Sequence, residues 1–337
     1  MQPVDGRLSE EGVVRVAEAF DRFPVRGRHR GRGAVPFDDQ FVDVGGLLVQ
    51  AQAVFWSDYL LQPKDTADLL MPADGRFHPG ELGDCPEPVR RYLLHSIAPG
   101  TPRLRSVRLD MVGHLKIGRW LPFRAQELLT PHHGFVWRAR VAGVIVGSDR
   151  FIPGSGGMSW KLAGLIPFMR TSGPDVARSA AGRAGGEALW LPTALLPRFG
   201  VAWTAQSTHA IEWSFTVDDV PLSVRARIDD TGAIRSLAFD RWGDPDNTAT
   251  WGWHPCGGEV TGETCFDGLT VPSSGSFGWH YGTNRWPDGE FFRYRITAMT
   301  TWSGGDCRVE RASSHDGAWE HIAERGVDGV NGHVSGT

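Results

Sequence analysis

Three acidic side chains, Glu127, Asp149 and Glu187, stand where they could move a proton. Glu127 has the most informative surroundings. Strand alternation along 120–129 puts Phe123, Ala125, Glu127 and Leu129 on one face, and along 134–142 it does the same for Phe135, Trp137 and Ala139. A hairpin through Pro131, His132 and His133 lays these faces side by side, so Glu127 falls among aromatic rings. Loss of water there disfavours the carboxylate and raises its pKa, which suits a general acid or a base working near neutrality. The competing reading is an ion pair with Arg124, Arg138 or another arginine reached across the sheet.

The other acids have quieter readings. Asp149 ends a strand just before the turn at Pro153–Gly157, where an aspartate ordinarily caps or steadies a loop. Glu187 stands four residues after Arg183, the spacing of a helical ion pair, although it could also point inward beneath Trp190. His114 shares a face with Arg108, Asp110 and Lys116 and reads as solvated, and His132 and His133 fall in an exposed turn at a cavity mouth. The chain has 14 Trp among 337 residues. Buried indole N–H groups need partners, so this set suits a cavity with polar ends, with Phe123, Phe135, Trp137, Trp190, Trp203, Trp251 and Trp279 as ligand-contacting candidates. The arginines of HHGFVWRAR (132–140) then face outward.

Several function classes are excluded. G-x-S-x-G, G-x-x-x-x-G-K, G-x-G-x-x-G and H-E-x-x-H are absent, so neither a metal nor an organic cofactor is expected. A net charge of -4 leaves no basic surplus for a polyanion, so nucleic acid is not an expected partner. Cys85, Cys256, Cys265 and Cys307 are widely spaced and read as free thiols. The polar start MQPVDGRLSEEG lacks an apolar signal core, which makes the cytoplasm the expected compartment. The apolar stretch 44–61 contains two Gln and an Asp and reads as a groove-packing helix, not a membrane span.

The elements that position these residues are mostly strands. Helices are expected at 8–23, at 86–97 and in an insert over roughly 175–199 that Pro192 interrupts. A Gly/Arg connector fills 25–36. Strands are expected at 104–117, 120–129, 134–142, 144–151, 210–217, 220–228, 233–240, 259–266 and 290–301, with a tight turn at Asp229–Gly232. The fold class is mainly β (α+β): a curved antiparallel sheet or half-barrel around an apolar cavity, with a helical insert and N-terminal helices. Three segments are expected, a helical and linker region at 1–80, the β domain at 81–305 and an extension at 306–337.

The motifs Trp120-x-Pro122-Phe123-x-Ala125, Gly134-Phe135-Val136-Trp137 and Glu187-Ala188-x-Trp190-x-Pro192-Thr193-Ala194-Leu195-Leu196-Pro197, together with CPEPVRRYL (85–93), resemble an actinobacterial domain family of unknown function over about 85–300. The resemblance implies a half-barrel like those of lipoprotein carriers, and it implies an amide, Gln, at the position of Glu127. Fold likeness alone assigns no activity. The expected function is cofactor-independent cyclisation, isomerisation or a lyase step on a hydrophobic small molecule, with Glu127, Asp149 and Glu187 moving protons. The alternative is a non-catalytic carrier of a lipid or other hydrophobic ligand.

Overall fold

The computed structural model describes residue 61, residues 68–303 and residues 306–312. Alternation shapes the sheet: β9 (Val220–Ile228) reads VPLSVRARI and buries every second residue, as a strand with one face on a core must. A first meander consists of β1 (Val107–Ile117), β2 (Arg119–Thr130), β3 (Gly134–Val141), β4 (Ile145–Ile152), β5 (Ser155–Leu162) and β6 (Ile166–Ser172). A second runs through β7 (Ala202–Ser207), β8 (Ala210–Val217), β9, β10 (Ile234–Gly243), β11 (Gly252–Phe266), β12 (Leu269–Trp279) and β13 (Glu290–Ser303). β13 pairs antiparallel with β1 and joins the meanders into one sheet, and β14 (Asp306–Arg311) adds to β13.

This topology determines where the insert must run. β6 and β7 follow each other in the chain but lie at opposite edges of the sheet, so residues 173–201 have to cross it. They do so as α2 (Pro174–Gly186) followed by 3-10 turns at 187–190, 192–195 and 197–199. α2 touches β3 to β6 on one side and β8 to β10 on the other, so the sheet curves round the helix without closing. The earlier helix α1 (Glu87–Ser96), which precedes β1, buries Val89, Tyr92 and Leu93 and packs on β7, β8 and β12.

The sequence expects one long insert helix; the α-helix instead stops at Gly186, and Pro192 and Pro197 each open a new 3-10 turn. Proline has no N–H to continue an α-helix, which accounts for the breaks. The sequence also expects an apolar cavity inside the curve. That space is occupied by α2, the 3-10 turns and one buried cluster that includes Phe123, Phe135, Trp137 and Trp190. Strands β5, β6, β7, β12 and β14 go beyond the sequence expectation, and β11 begins at Gly252 instead of 259.

The outer face carries a smaller apolar patch of Leu69, Leu128 and Val136, with Leu61, Ile152 and Trp302 against it. Thr130 Oγ1 donates to the Leu69 carbonyl at 2.6 Å, and the Met71 N–H donates to Ser106 Oγ at 2.6 Å, which holds residues 69–71 on the outside of the sheet. The expected helices at 8–23 and 44–61 lie outside the described residues except for Leu61, whose N–H donates to Gln126 Oε1. No helix among the described residues is long and apolar enough to cross a membrane.

Candidate functional site

Register builds the site. Glu127 of β2 lies directly opposite Trp137 of β3, and Trp137 lies directly opposite Asp149 of β4. Directly paired residues share a face, so these side chains form a row across the inner surface with the indole between the carboxyl groups. Above the row sits Arg183 of α2, its guanidinium 5.3 Å from the Trp137 ring and 4.4 Å from that of Phe135. Arg183 Nη2 donates to Glu127 Oε1 at 3.1 Å, Nη1 to Asp149 Oδ2 at 3.0 Å, and Nε to Glu187 Oε1 at 2.6 Å. The planar fork of arginine can satisfy acceptors in these different directions, which a single ammonium cannot. Trp160 Nε1 adds a donor to Asp149 Oδ1 at 3.2 Å.

The electrostatics follow from burial. Glu127 is fully buried. Desolvation is the largest cause that holds its carboxyl well above the ordinary value, Glu187 reinforces it by charge and hydrogen bond, and Arg183 opposes it. Burial likewise raises Asp149, against the pull of Arg183, Trp160 and Arg241. Burial alone would lower Arg183, but the neighbouring carboxylates overcome it and its pKa rises. Arg241 is lowered, chiefly by burial, and burial pushes the Cys256 thiol beside it up to about 11. The Oε2 atoms of Glu127 and Glu187 are buried and have no hydrogen-bond partner among the described residues. The Trp137 indole N–H is buried and has no acceptor among the described residues.

The structure thus brings Glu127, Asp149 and Glu187 to one guanidinium. Both simpler readings of the sequence are partly realised. Glu187 does pair with Arg183 at helical spacing, and Glu127 does meet an arginine, although it is Arg183 and neither Arg124 nor Arg138. Asp149 caps no loop; it lies inside β4 and faces the helix. His132 is not an exposed turn residue: its Nε2 meets the Ala194 carbonyl at 2.8 Å, its ring packs on Phe215, and burial lowers its pKa. Arg138 and Arg140 are half-buried on strand positions that alternate with Trp137 and Ala139.

The aromatic candidates divide. Phe123, Phe135 and Trp137 gather at the site. Trp190 stands at the far end of a stack that runs from Trp137 through Phe123, Phe292 and Tyr294, and its N–H donates to the Pro272 carbonyl at 3.1 Å. Trp203 packs with Tyr92 and Trp213, and Trp251 stands in the β10–β11 connection, so these two are apart from the site, whereas Trp279 lies under Arg241. Sequence reasoning missed Trp160, Arg241 and Cys256. Alternation along SGGMSWKL would place Trp160 on the inner face, but the glycines hide the strand. Among the described residues no cluster of His, Cys, Asp or Glu is arranged to hold a metal ion.

An open antiparallel half-barrel wrapped round a helix, with a buried arginine–carboxylate cluster under that helix, defines the class. The family described as Family of unknown function (DUF6544) matches residues 75–291, and the chain belongs to it. No curated protein matches the chain. Among solved structures, one described as an outer membrane lipoprotein-sorting protein domain from Vibrio parahaemolyticus is similar at 7% identity and a TM-score of 0.35, over 59% of this chain and 86% of that one.

Proposed function

We propose that the protein binds a hydrophobic small molecule between α2 and the aromatic inner face of the sheet, with the polar end of that molecule at Trp137. The observation that carries this reading is the Trp137 indole N–H beside the ionic cluster, buried and without an acceptor among the described residues. A buried donor of this kind costs roughly 1–3 kcal/mol, which a ligand carbonyl or hydroxyl would recover. The aromatic stack from Trp137 to Trp190 supplies the apolar wall. Arg183 of α2 lies over the Trp137 end of this wall, so binding there requires the helix to lift.

The test is native purification followed by solvent extraction and mass spectrometry, with titration of the emptied protein by fatty acids, polyketides and terpenoids read through Trp fluorescence. A co-purifying apolar molecule, or saturable quenching that Trp137→Phe weakens, is the expected result. A protein that carries nothing and responds to none of the panel overturns the reading.

One feature favours a second reading, an acid–base enzyme of the cyclase, isomerase or lyase type: burial and the neighbouring Glu187 hold the Glu127 carboxyl above its ordinary value. On this reading Glu127 donates the proton and Glu187 relays it. The bound molecule would then be returned changed, and Glu127→Gln would keep binding while turnover falls by roughly 10²–10⁴. A ligand recovered unaltered leaves the carrier reading alone.

A further inference from the structure

A second site lies outside the half-barrel core. At the N-terminal end of α2 an open cleft of about 760 Å³ runs between the β4–β5 turn, the start of the helix and the β8–β9 turn. Trp253 of β11 lines it and is 47% exposed, whereas the other tryptophans among the described residues are buried or half-buried. Its exposure is not looseness. Trp253 pairs directly with Trp242 of β10, the rings meeting edge to face at 5.5 Å between centroids. Trp242 is itself fixed: its N–H donates to Asp175 Oδ1 at 2.8 Å, and the Arg178 guanidinium lies 4.8 Å from its ring. One ring is thus held by the helix so that the other can present a rigid apolar face to solvent, at low entropic cost to a ligand.

The polar groups round that face define the ligand. Asp218 and Asp219 form the β8–β9 turn, and Asp218 Oδ2 accepts the Gly154 N–H at 2.6 Å, which fastens two walls of the cleft together. Both aspartates have left-handed backbone, φ 49° and 63°, in a turn where Asn and Gly are the easier choices. Ser155, Ser172 and Arg178 line the same space. Two carboxylates oppose an anion such as phosphate, and the guanidinium opposes a cation. A neutral ring with hydroxyl groups on its edge and C–H bonds on its face satisfies both: the face lies on the indole, and the hydroxyls donate to the carboxylates and accept from arginine and serine. The volume lies within the roughly 300–1,000 Å³ of small-molecule sites.

We infer that this cleft is a binding site for a neutral saccharide that stacks on Trp253. The test titrates the full chain with maltose, cellobiose, trehalose and chitobiose, read by Trp fluorescence and calorimetry, with glucose 6-phosphate as the charged comparison. At least one neutral sugar is expected to bind saturably. Trp253→Ala should then weaken it by roughly tenfold or more, Trp253→Phe should keep most of the affinity, and Asp219→Asn, which the left-handed backbone accepts, should weaken it as well. Circular dichroism of each variant should match the parent, since these side chains are exposed. Failure of every neutral sugar to bind, binding unchanged in Trp253→Ala, or binding of glucose 6-phosphate alone each overturns the inference.

Discussion

Glu127 and Asp149, on strands separated by β3, are held by the two terminal nitrogens of one arginine, at 3.1 Å and 3.0 Å. Arg183 is therefore the point at which the helix is tied to the floor of the sheet. Arg183→Met would leave the fully buried Glu127 and the half-buried Asp149 and Glu187 without this cation, and should lower stability by roughly 3–5 kcal/mol. Arg183→Lys keeps the charge but cannot donate along all three directions, so it should recover only a minor part of that loss. Urea unfolding of the three proteins checks this; a Lys variant as stable as the parent would show that charge alone holds α2.

The pH dependence of stability follows from the raised carboxyl of Glu127. A carboxyl whose folded pKa lies above its unfolded value binds more protons in the folded state between those values. Stability therefore falls as pH rises above about 4.5, until the folded pKa is passed. Glu127→Gln keeps an acceptor for Arg183 and a donor for Glu187, and has no proton to lose. The advantage of the Gln variant over the parent should grow by about 1.4 kcal/mol for each pH unit crossed in that window. Thermal unfolding at a series of pH values reads the difference directly. Parallel curves for the two proteins would place the Glu127 carboxyl at its ordinary value.

The inner face of β2 and β3 was legible because two short strands with clean alternation and a tight turn leave only one pairing that buries Phe123, Glu127 and Trp137 together. The Arg183–Glu187 pair was legible from helical spacing. Asp149 was not, since its place opposite Trp137 depends on β4 pairing and on where α2 crosses. The unread strands share a different cause. Gly257 and Gly258 interrupt the pattern of β11, yet a side chain at Gly258 would come 1.8 Å from the Ser276 carbonyl oxygen of β12. The glycines there mark close approach of neighbouring backbone in a sheet, which a single sequence presents in the same way as a loop.

Close approach also governs how α2 seats on the sheet. A Cβ at Gly186 would lie 2.4 Å from Phe239 Cζ, and that ring is packed against Phe277. Gly186→Ala should therefore cost roughly 1–3 kcal/mol through overpacking, despite the better helix propensity of alanine. Gly83 offers the control: it has helical φ of -52°, and its nearest neighbour would be 3.7 Å away. Gly83→Ala should be neutral or stabilise by roughly 0.4–1 kcal/mol. Chemical denaturation of both variants separates packing from propensity, and an unaffected Gly186→Ala would mean that the helix can stand further from β10.

Trp137 and Trp190 test whether the unpartnered indole matters. Both are buried, at 3% and 4% exposure, but Trp190 donates its N–H to the Pro272 carbonyl while Trp137 has no acceptor among the described residues. Replacing either with Phe removes similar ring area. Trp190→Phe also leaves a carbonyl without its donor, whereas Trp137→Phe removes a donor that had no acceptor. The Trp137 variant should therefore be the more stable of the two by roughly 1–3 kcal/mol. Ligand binding should sort them the other way if the polar end of the ligand sits at Trp137: affinity drops in Trp137→Phe and holds in Trp190→Phe, because the wall near Trp190 is apolar contact that Phe still provides. Equal stability of the two variants would mean that Trp137 already has a partner in solution, and equal affinity would move the polar end of the ligand elsewhere.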